Sequence, residues 1–163
     1  ECLDPAGPDQ RQPLMLQPSW VLRGELAVGP APLLEQHLQD LQDQGLLAVL
    51  SLCSEQEAPP PAGLAERFHW RRYVLPDHKA GRPPELEEFR RAVEQLAELA
   101  PLGPVYVHCQ AGVERSPLVC MAWLIRRRRL SFIDALDYLK RVHPPTGPLP
   151  EQLATLRAWL AAG

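Results

Sequence analysis

The chain has no large excess of charge of either sign. Lysine and arginine number 17, aspartate and glutamate 20, for a net charge of -3. That balance argues against a general attraction to nucleic acid or to a membrane surface. No apolar run approaches the roughly 18 residues that span a bilayer, and no secretory signal is visible. The cysteines Cys2, Cys53, Cys109 and Cys120 include no CxxC pair and no zinc-like spacing with histidine. Four cysteines in 163 residues make no disulfide scaffold, so a reducing cytosol is the simplest home and the expected location is cytoplasmic. No internal repeat is present. There is still enough chain for one globular domain with a proper core: 163 residues, 45% of them hydrophobic.

The 19 prolines cluster at 5–32, 59–61, 83–84 and 144–150, where they mark loops and element starts. Residues 1–18 lack periodicity and read as an irregular arm. Two short strands follow, Trp20–Arg23 and Leu26–Val28. A helix opened by Pro30 and Pro32 puts Leu33, Leu34, His37, Leu38 and Leu41 on one face and ends at Gly45. His37 there reads as a packed or capping histidine. Leu46–Leu52 is a continuous apolar run, the pattern of a central parallel strand. Residues 54–67 form a loop with a turn of helix near Leu64–Arg67, and Phe68–Leu75 is another strand. A polar loop, 76–84, leads into a helix over Glu85–Ala100 with Leu86, Phe89, Val93 and Leu96 in register. Val105–His108 is a strand and Leu118–Ile125 a helix apolar on every side. Arg126–Arg129 suits that helix's C-terminus, where positive side chains complement the dipole; a polyanion patch is the sharper alternative. Ser131 to Asp134 looks like a capping box. The helix after it turns Phe132, Ala135, Leu136, Leu139 and Val142 inward. After a turn at 143–150, the last helix, Glu151–Ala162, places Leu153, Leu156 and Leu160 on one side. Strands alternating with helices predict an α/β domain whose central, mostly parallel sheet is flanked by helices.

The chemistry concentrates in Tyr106-Val107-His108-Cys109-Gln110-Ala111-Gly112-Val113-Glu114-Arg115-Ser116-Pro117. A cysteine ends a buried strand, an arginine follows after five residues, and a helix opens. No proline lies between Cys109 and Arg115, so every residue there can donate a backbone N–H. A loop curled around one point would gather those donors into an anion cradle at a helix N-terminus. Gly112 lets the chain turn, and Pro117 suits a first helical position. Ser116 is either the N-cap or a donor to the sulfur. Arg115 offers a planar fork that matches two phosphoryl oxygens. A cysteine at the focus of amides, dipole and guanidinium is favoured as thiolate. The plainer alternative is an inert buried strand-end cysteine. Open α/β sheets bind ligands at the carboxyl ends of their strands, where this loop lies.

The H-C-x-x-G-x-x-R-S stretch, carried by His108, Cys109, Gly112, Arg115 and Ser116, resembles the active-site loop of cysteine-dependent protein tyrosine phosphatases. Its HCQAG start and RS end are most similar to the dual-specificity branch, and the Leu75-Pro76-Asp77 arrangement resembles that of its small atypical members. The resemblance runs from about Pro18 to Gly163. It implies an arm over 1–18, a catalytic domain over 19–163, the fold of that superfamily and a phosphocysteine mechanism. In it Cys109 is the nucleophile, and Arg115 with the amides of Gln110, Ala111, Gly112, Val113 and Glu114 binds the phosphoryl group. Ser116 assists the second step, and His108 supports the loop from behind. The mechanism also needs a carboxylic acid from another loop at the same sheet edge. Asp77 is the candidate, because Leu75-Pro76-Asp77 before a Pro-started helix resembles the family's general-acid loop; otherwise Asp77 only makes an Asx turn. Glu85 is a poorer rival, expected in a helix's first turn. His78, Lys79 and Arg82 either steer an anionic substrate or are ordinary loop charge. Some relatives protect the nucleophile with a disulfide, which here would join Cys53 to Cys109; the plainer reading of Cys53, as of Cys120, is packing.

Glu114 departs from expectation by placing a carboxylate inside the loop. Aimed at the pocket it would repel phosphate; the expectation is that it points outward as a surface charge. The expected substrates are phosphotyrosine and phosphoserine or phosphothreonine proteins. No metal or other cofactor, no nucleic acid and no membrane partner are expected, and the expected form is a monomer. The same chemistry on a phosphoinositide, nucleotide or RNA 5′ phosphate is one alternative. A non-catalytic phosphate-binding module and sulfur transfer on a rhodanese-like loop are the others.

Overall fold

The computed structural model describes residues 15–163. Most of the expected arm, with Cys2, lies outside the described residues. Its last few residues are irregular but docked: Leu16 is buried, and its N–H donates to Asp40 Oδ2 at 2.8 Å.

Among the described residues five strands form one sheet: β1 (Ser19–Leu22), β2 (Leu26–Gly29), β3 (Ala48–Ser51), β4 (His69–Arg72) and β5 (Val105–His108), in the order β1-β2-β5-β3-β4. Of the pairs among these strands, β1–β2 is antiparallel and the rest are parallel. The two inner strands next to β5 bury all four of their residues, as the unbroken apolar runs require. Alternation along β5 divides the core. Val105 and Val107 face the helices α3 (Leu86–Leu99), α4 (Arg115–Arg128), α5 (Phe132–Val142) and α6 (Pro150–Ala161). Tyr106 faces Leu38 and Leu41 of α1 (Glu35–Asp43) and Leu64 of the one-turn α2 (Leu64–Arg67).

β3 and β4 are shorter than the apolar runs suggest. The pairing nevertheless continues past their ends, with Leu52 N–H on His108 O at 2.9 Å and Leu75 N–H on Leu52 O at 3.0 Å. Helix α1 starts at Glu35, later than Pro30 and Pro32 predict. Residues 30–34 are occupied otherwise: Ala31 N–H bonds Gln110 O at 3.1 Å, and His37 Nδ1 accepts from Leu33 N–H and Leu34 N–H at 2.9 and 3.2 Å. His37 is thus a capping histidine, and Leu33 and Leu34 are partly exposed rather than on the buried face. Leu86 is likewise exposed, and α3 buries Phe89, Ala92, Leu96 and Leu99 instead. Helix α4 is buried from Arg115 to Leu124, with its arginine end folded over aromatic rings: Arg126 on Trp159 and Arg127 on Trp123, at 4.3 and 4.7 Å from the ring centroids. Among the described residues no helix is long and apolar enough to cross a membrane.

Candidate active site

The loops that follow β3, β4 and β5 meet at the carboxyl edge of the sheet. Cys109 directly follows β5, and the segment 109–114 curls into the N-terminus of α4. Gly112 makes the curl at φ +73°, a left-handed conformation where a Cβ would lie 2.6 Å from Gly29 C and 2.9 Å from Pro30 N.

The loop's carbonyls are held from outside. Cys109 O accepts from His108 Nδ1–H at 3.0 Å and Gln110 O from Ala31 N–H at 3.1 Å. Gly112 O accepts from His143 Nε2–H at 2.6 Å, Val113 O from Gly147 N–H at 2.8 Å, and Glu114 O from Leu118 N–H at 3.1 Å. Across a trans peptide the next N–H points opposite to the C=O. Tying these carbonyls outward therefore turns the amides of Gln110, Ala111, Val113, Glu114 and Arg115 to the inside of the curl, at the positive end of α4.

His108 is buried beneath the loop, and burial pushes its pKa down to about 4. The neutral ring has one possible tautomer. Nδ1–H must donate to the Cys109 carbonyl, so Nε2 accepts from the Ser51 hydroxyl at 2.6 Å. Ser51 Oγ in turn accepts from Trp70 Nε1–H at 2.9 Å. A chain of three side chains thus crosses β4, β3 and β5 and ends on the Cys109 carbonyl.

Cys109 and Ser116 face each other, Sγ to Oγ, at 3.2 Å. Ser116 is not the N-cap: α4 begins one residue earlier, so Ser116 and Pro117 fall in its first turn, where a missing N–H is harmless. Arg115 is buried with its guanidinium fixed on three sides. Nη1 donates to Leu75 O, Leu52 O and Glu57 Oε2 at 3.0, 3.3 and 3.2 Å, and Nη2 to Glu57 Oε1 at 2.7 Å. The Arg115 bond holds the Glu57 carboxyl down at about 2. Burial works against the Arg115 charge, but Glu57, Cys109 and Asp77 outweigh it and leave the guanidinium pKa above its ordinary value. Nε–H and the second Nη2–H remain for a bidentate contact with an oxyanion.

Asp77 and its loop close the other side. Asp77 Oδ2 is 3.9 Å from Arg115 Nη2, and Oδ1 accepts from Lys79 N–H at 2.9 Å. The Asx turn is therefore present, and it coexists with a place at the site. Asp77, His78, Lys79, Cys109, Gln110 and Arg115 line one cleft of about 200 Å³. Among the described residues no group of His, Cys, Asp or Glu is placed to hold a metal ion.

The dual-specificity phosphatase catalytic-domain model matches residues 34–161. The chain belongs to that family. Dual specificity protein phosphatase 2 of Mus musculus is 32% identical over 106 residues, covering 64% of this chain. The chain spans only 31% of that relative's length. The solved structure of Tk-PTP in its active form is 25% identical with a TM-score of 0.75, over 87% of this chain and 95% of that one. PTPMT1, solved in complex with PI(5)P, shares the fold at 21% identity and a TM-score of 0.73, over 85% and 91% of the two chains.

Within this dual-specificity phosphatase domain, Cys109, Arg115, Ser116 and Asp77 come together and His108 lies behind them. Glu85 is the cap of α3 and does not line the cleft. Arg82 is bound to Glu88 at 2.6 and 3.1 Å and takes no part in the cleft wall. Glu114 is not a surface charge. It is mostly buried and lines the cleft, bonded to Gln152 Nε2 at 2.8 Å and to His78 Nδ1 at 2.6 Å. Cys53, Cys109 and Cys120 are free thiols; Cys53 lies 3.9 Å from His108 Nδ1, and burial pushes its thiol up to about 11. Sequence reasoning missed Glu57 and His143. The first lies in a segment read as loop and the second in one read as a turn, so neither carried a local signal.

Proposed function

We propose that this chain hydrolyses phosphate monoesters on phosphotyrosine proteins, and on phosphoserine or phosphothreonine proteins, without a metal ion. The Cys109 thiolate attacks phosphorus and forms the S–P bond as the ester P–O bond breaks. Asp77 donates its proton to the departing oxygen. Water then attacks phosphorus, the Asp77 carboxylate takes the proton, and the S–P bond breaks with its electron pair returning to sulfur, where the Ser116 hydroxyl donates to it. Arg115 and the inward amides hold the three phosphoryl oxygens, whose charge they meet without reorganising.

The observation that carries this reading is the convergence of Cys109, Arg115 and Asp77 on one small cleft at the N-terminus of α4. A module that only binds phosphate has no need of an acid beside the arginine. The test is phosphate release from an aryl phosphate in chelator over pH 4.5 to 8. Turnover should vanish in Cys109→Ser. Asp77→Asn should lose roughly a hundredfold or more and no longer decline at high pH. A parent that binds phosphate analogues without turning over would sink the reading. A phosphotyrosine peptide compared with a phosphoinositide tests the substrate class, the peptide being the expected better substrate.

A further inference from the structure

Glu114 sits between the catalytic arginine and the loop amides, yet its carboxylate serves neither. Gln152 on α6 is 2% exposed, and its Oε1 is taken by Leu149 N–H at 2.8 Å. Its Nε2 is thereby aimed at Glu114 Oε1 at 2.8 Å. That bond fixes the carboxylate and leaves Oε2 to receive Nδ1–H of His78 at 2.6 Å. His78 is the residue after Asp77, and its side chain is half exposed. Helix α6 also reaches the far end of the same loop, where Thr155 Oγ1–H donates to Pro84 O at 2.8 Å.

We propose that Glu114 is a positioning residue. Braced by Gln152, it clasps His78 and holds the acid loop over the cleft so that Asp77 meets the leaving oxygen. This rests on the phosphatase reading. A one-carbon-shorter or uncharged side chain at 114 would not span from α6 to His78 with the same strength, since a charged acceptor makes the stronger bond. A clasp between the acid loop and the phosphate loop converts part of the orientation cost of proton transfer into folded structure.

The experiment compares kcat on phenyl phosphate, whose leaving group needs a proton, with kcat on an aryl phosphate of a strongly acidic phenol, which does not. His78→Ala should lower the first by roughly tenfold and the second by a clearly smaller factor. His78→Asn, which keeps a donor near the Nδ1 position, should recover most of the loss. Adding Glu114→Ala to His78→Ala should cost nothing further on phenyl phosphate. Equal losses on both substrates, no loss, or full additivity would overturn the clasp. Amide exchange at Lys79 provides a readout without turnover. It should speed up in His78→Ala and in Glu114→Ala but not in Cys109→Ser. A parent without turnover thus defeats the phosphatase reading alone, while unchanged exchange in both clasp variants defeats the clasp.

Discussion

The two loops that face each other across the cleft are held in opposite ways. The phosphate loop, 109–114, is anchored through its own backbone: five carbonyls are tied to four separate parts of the chain, and Cys109, Arg115 and Ser116 are all buried. The acid loop, 77–84, is largely exposed and is held mainly by side chains, through His78 to Glu114, Arg82 to Glu88 and Thr155 to Pro84. Backbone anchoring in a buried setting fixes a binding geometry. Side-chain anchoring at the surface fixes a position that a few kcal/mol can release. For the proposed mechanism, a rigid cradle facing a releasable Asp77 is what is wanted: the cradle must be ready before substrate arrives, while the acid must let product leave.

The largest effect should come from breaking the rigid side. Gly112→Ala puts a Cβ against the backbone of Gly29 and Pro30 in a left-handed conformation. No flexible side-chain end can yield there. The strain and overpacking should cost about 3 kcal/mol in urea unfolding and abolish turnover. A variant of near-parental stability and activity would show the loop to be softer than its anchors indicate.

The next effect is a titration. His108 is held neutral in the folded state at a pKa of about 4, against 6.5 for the ordinary ring. Below pH 6.5 the unfolded chain therefore binds a proton that the folded chain refuses, and stability falls as pH drops towards 4. By pH 4.5 the loss from this one group should reach about 2.5 kcal/mol. His108→Asn keeps a donor towards Cys109 O but has no such titration. It should start less stable at pH 7 and lose correspondingly less on acidification. Parallel losses in parent and variant, measured by urea unfolding at both pH values, would sink the assignment.

These residues differ in how far the sequence exposes them. Cys109, Arg115 and Ser116 are legible because the cradle is built from neighbours in the chain, and strand-loop-helix order is a local signal. Asp77 is legible from its place after a strand and before a helix. Glu57 and His143 are not, since they reach the loop from 58 residues before Arg115, on the neighbouring strand's loop, and from 31 after Gly112, past two helices. Glu114 is the instructive case. Alternation along a loop suggests a side chain turned out to solvent, but this one lines the cleft and is bonded to α6, and only the packing of that helix supplies Gln152. Likewise Leu33 and Leu34 share a helical face in the sequence, while the His37 ring caps their amides and holds them outside the helix.

The smallest effect sharpens the releasable side of the comparison. Thr155→Val keeps the shape and the β-branching of the residue and removes only the hydroxyl that bonds Pro84 O. Thr155 is 8% exposed, so the carbonyl loses a partner with little water to replace it. One neutral hydrogen bond of this kind is worth about 1 kcal/mol. Urea unfolding should show that loss, a fraction of what Gly112→Ala inflicts. The same change frees the far end of the acid loop while leaving the cradle untouched. Phenyl phosphate turnover should therefore fall a few-fold as binding of inorganic phosphate stays constant. If phosphate binding weakens in step with turnover, the two loops are one rigid unit, and the contrast between backbone and side-chain anchoring has no functional meaning.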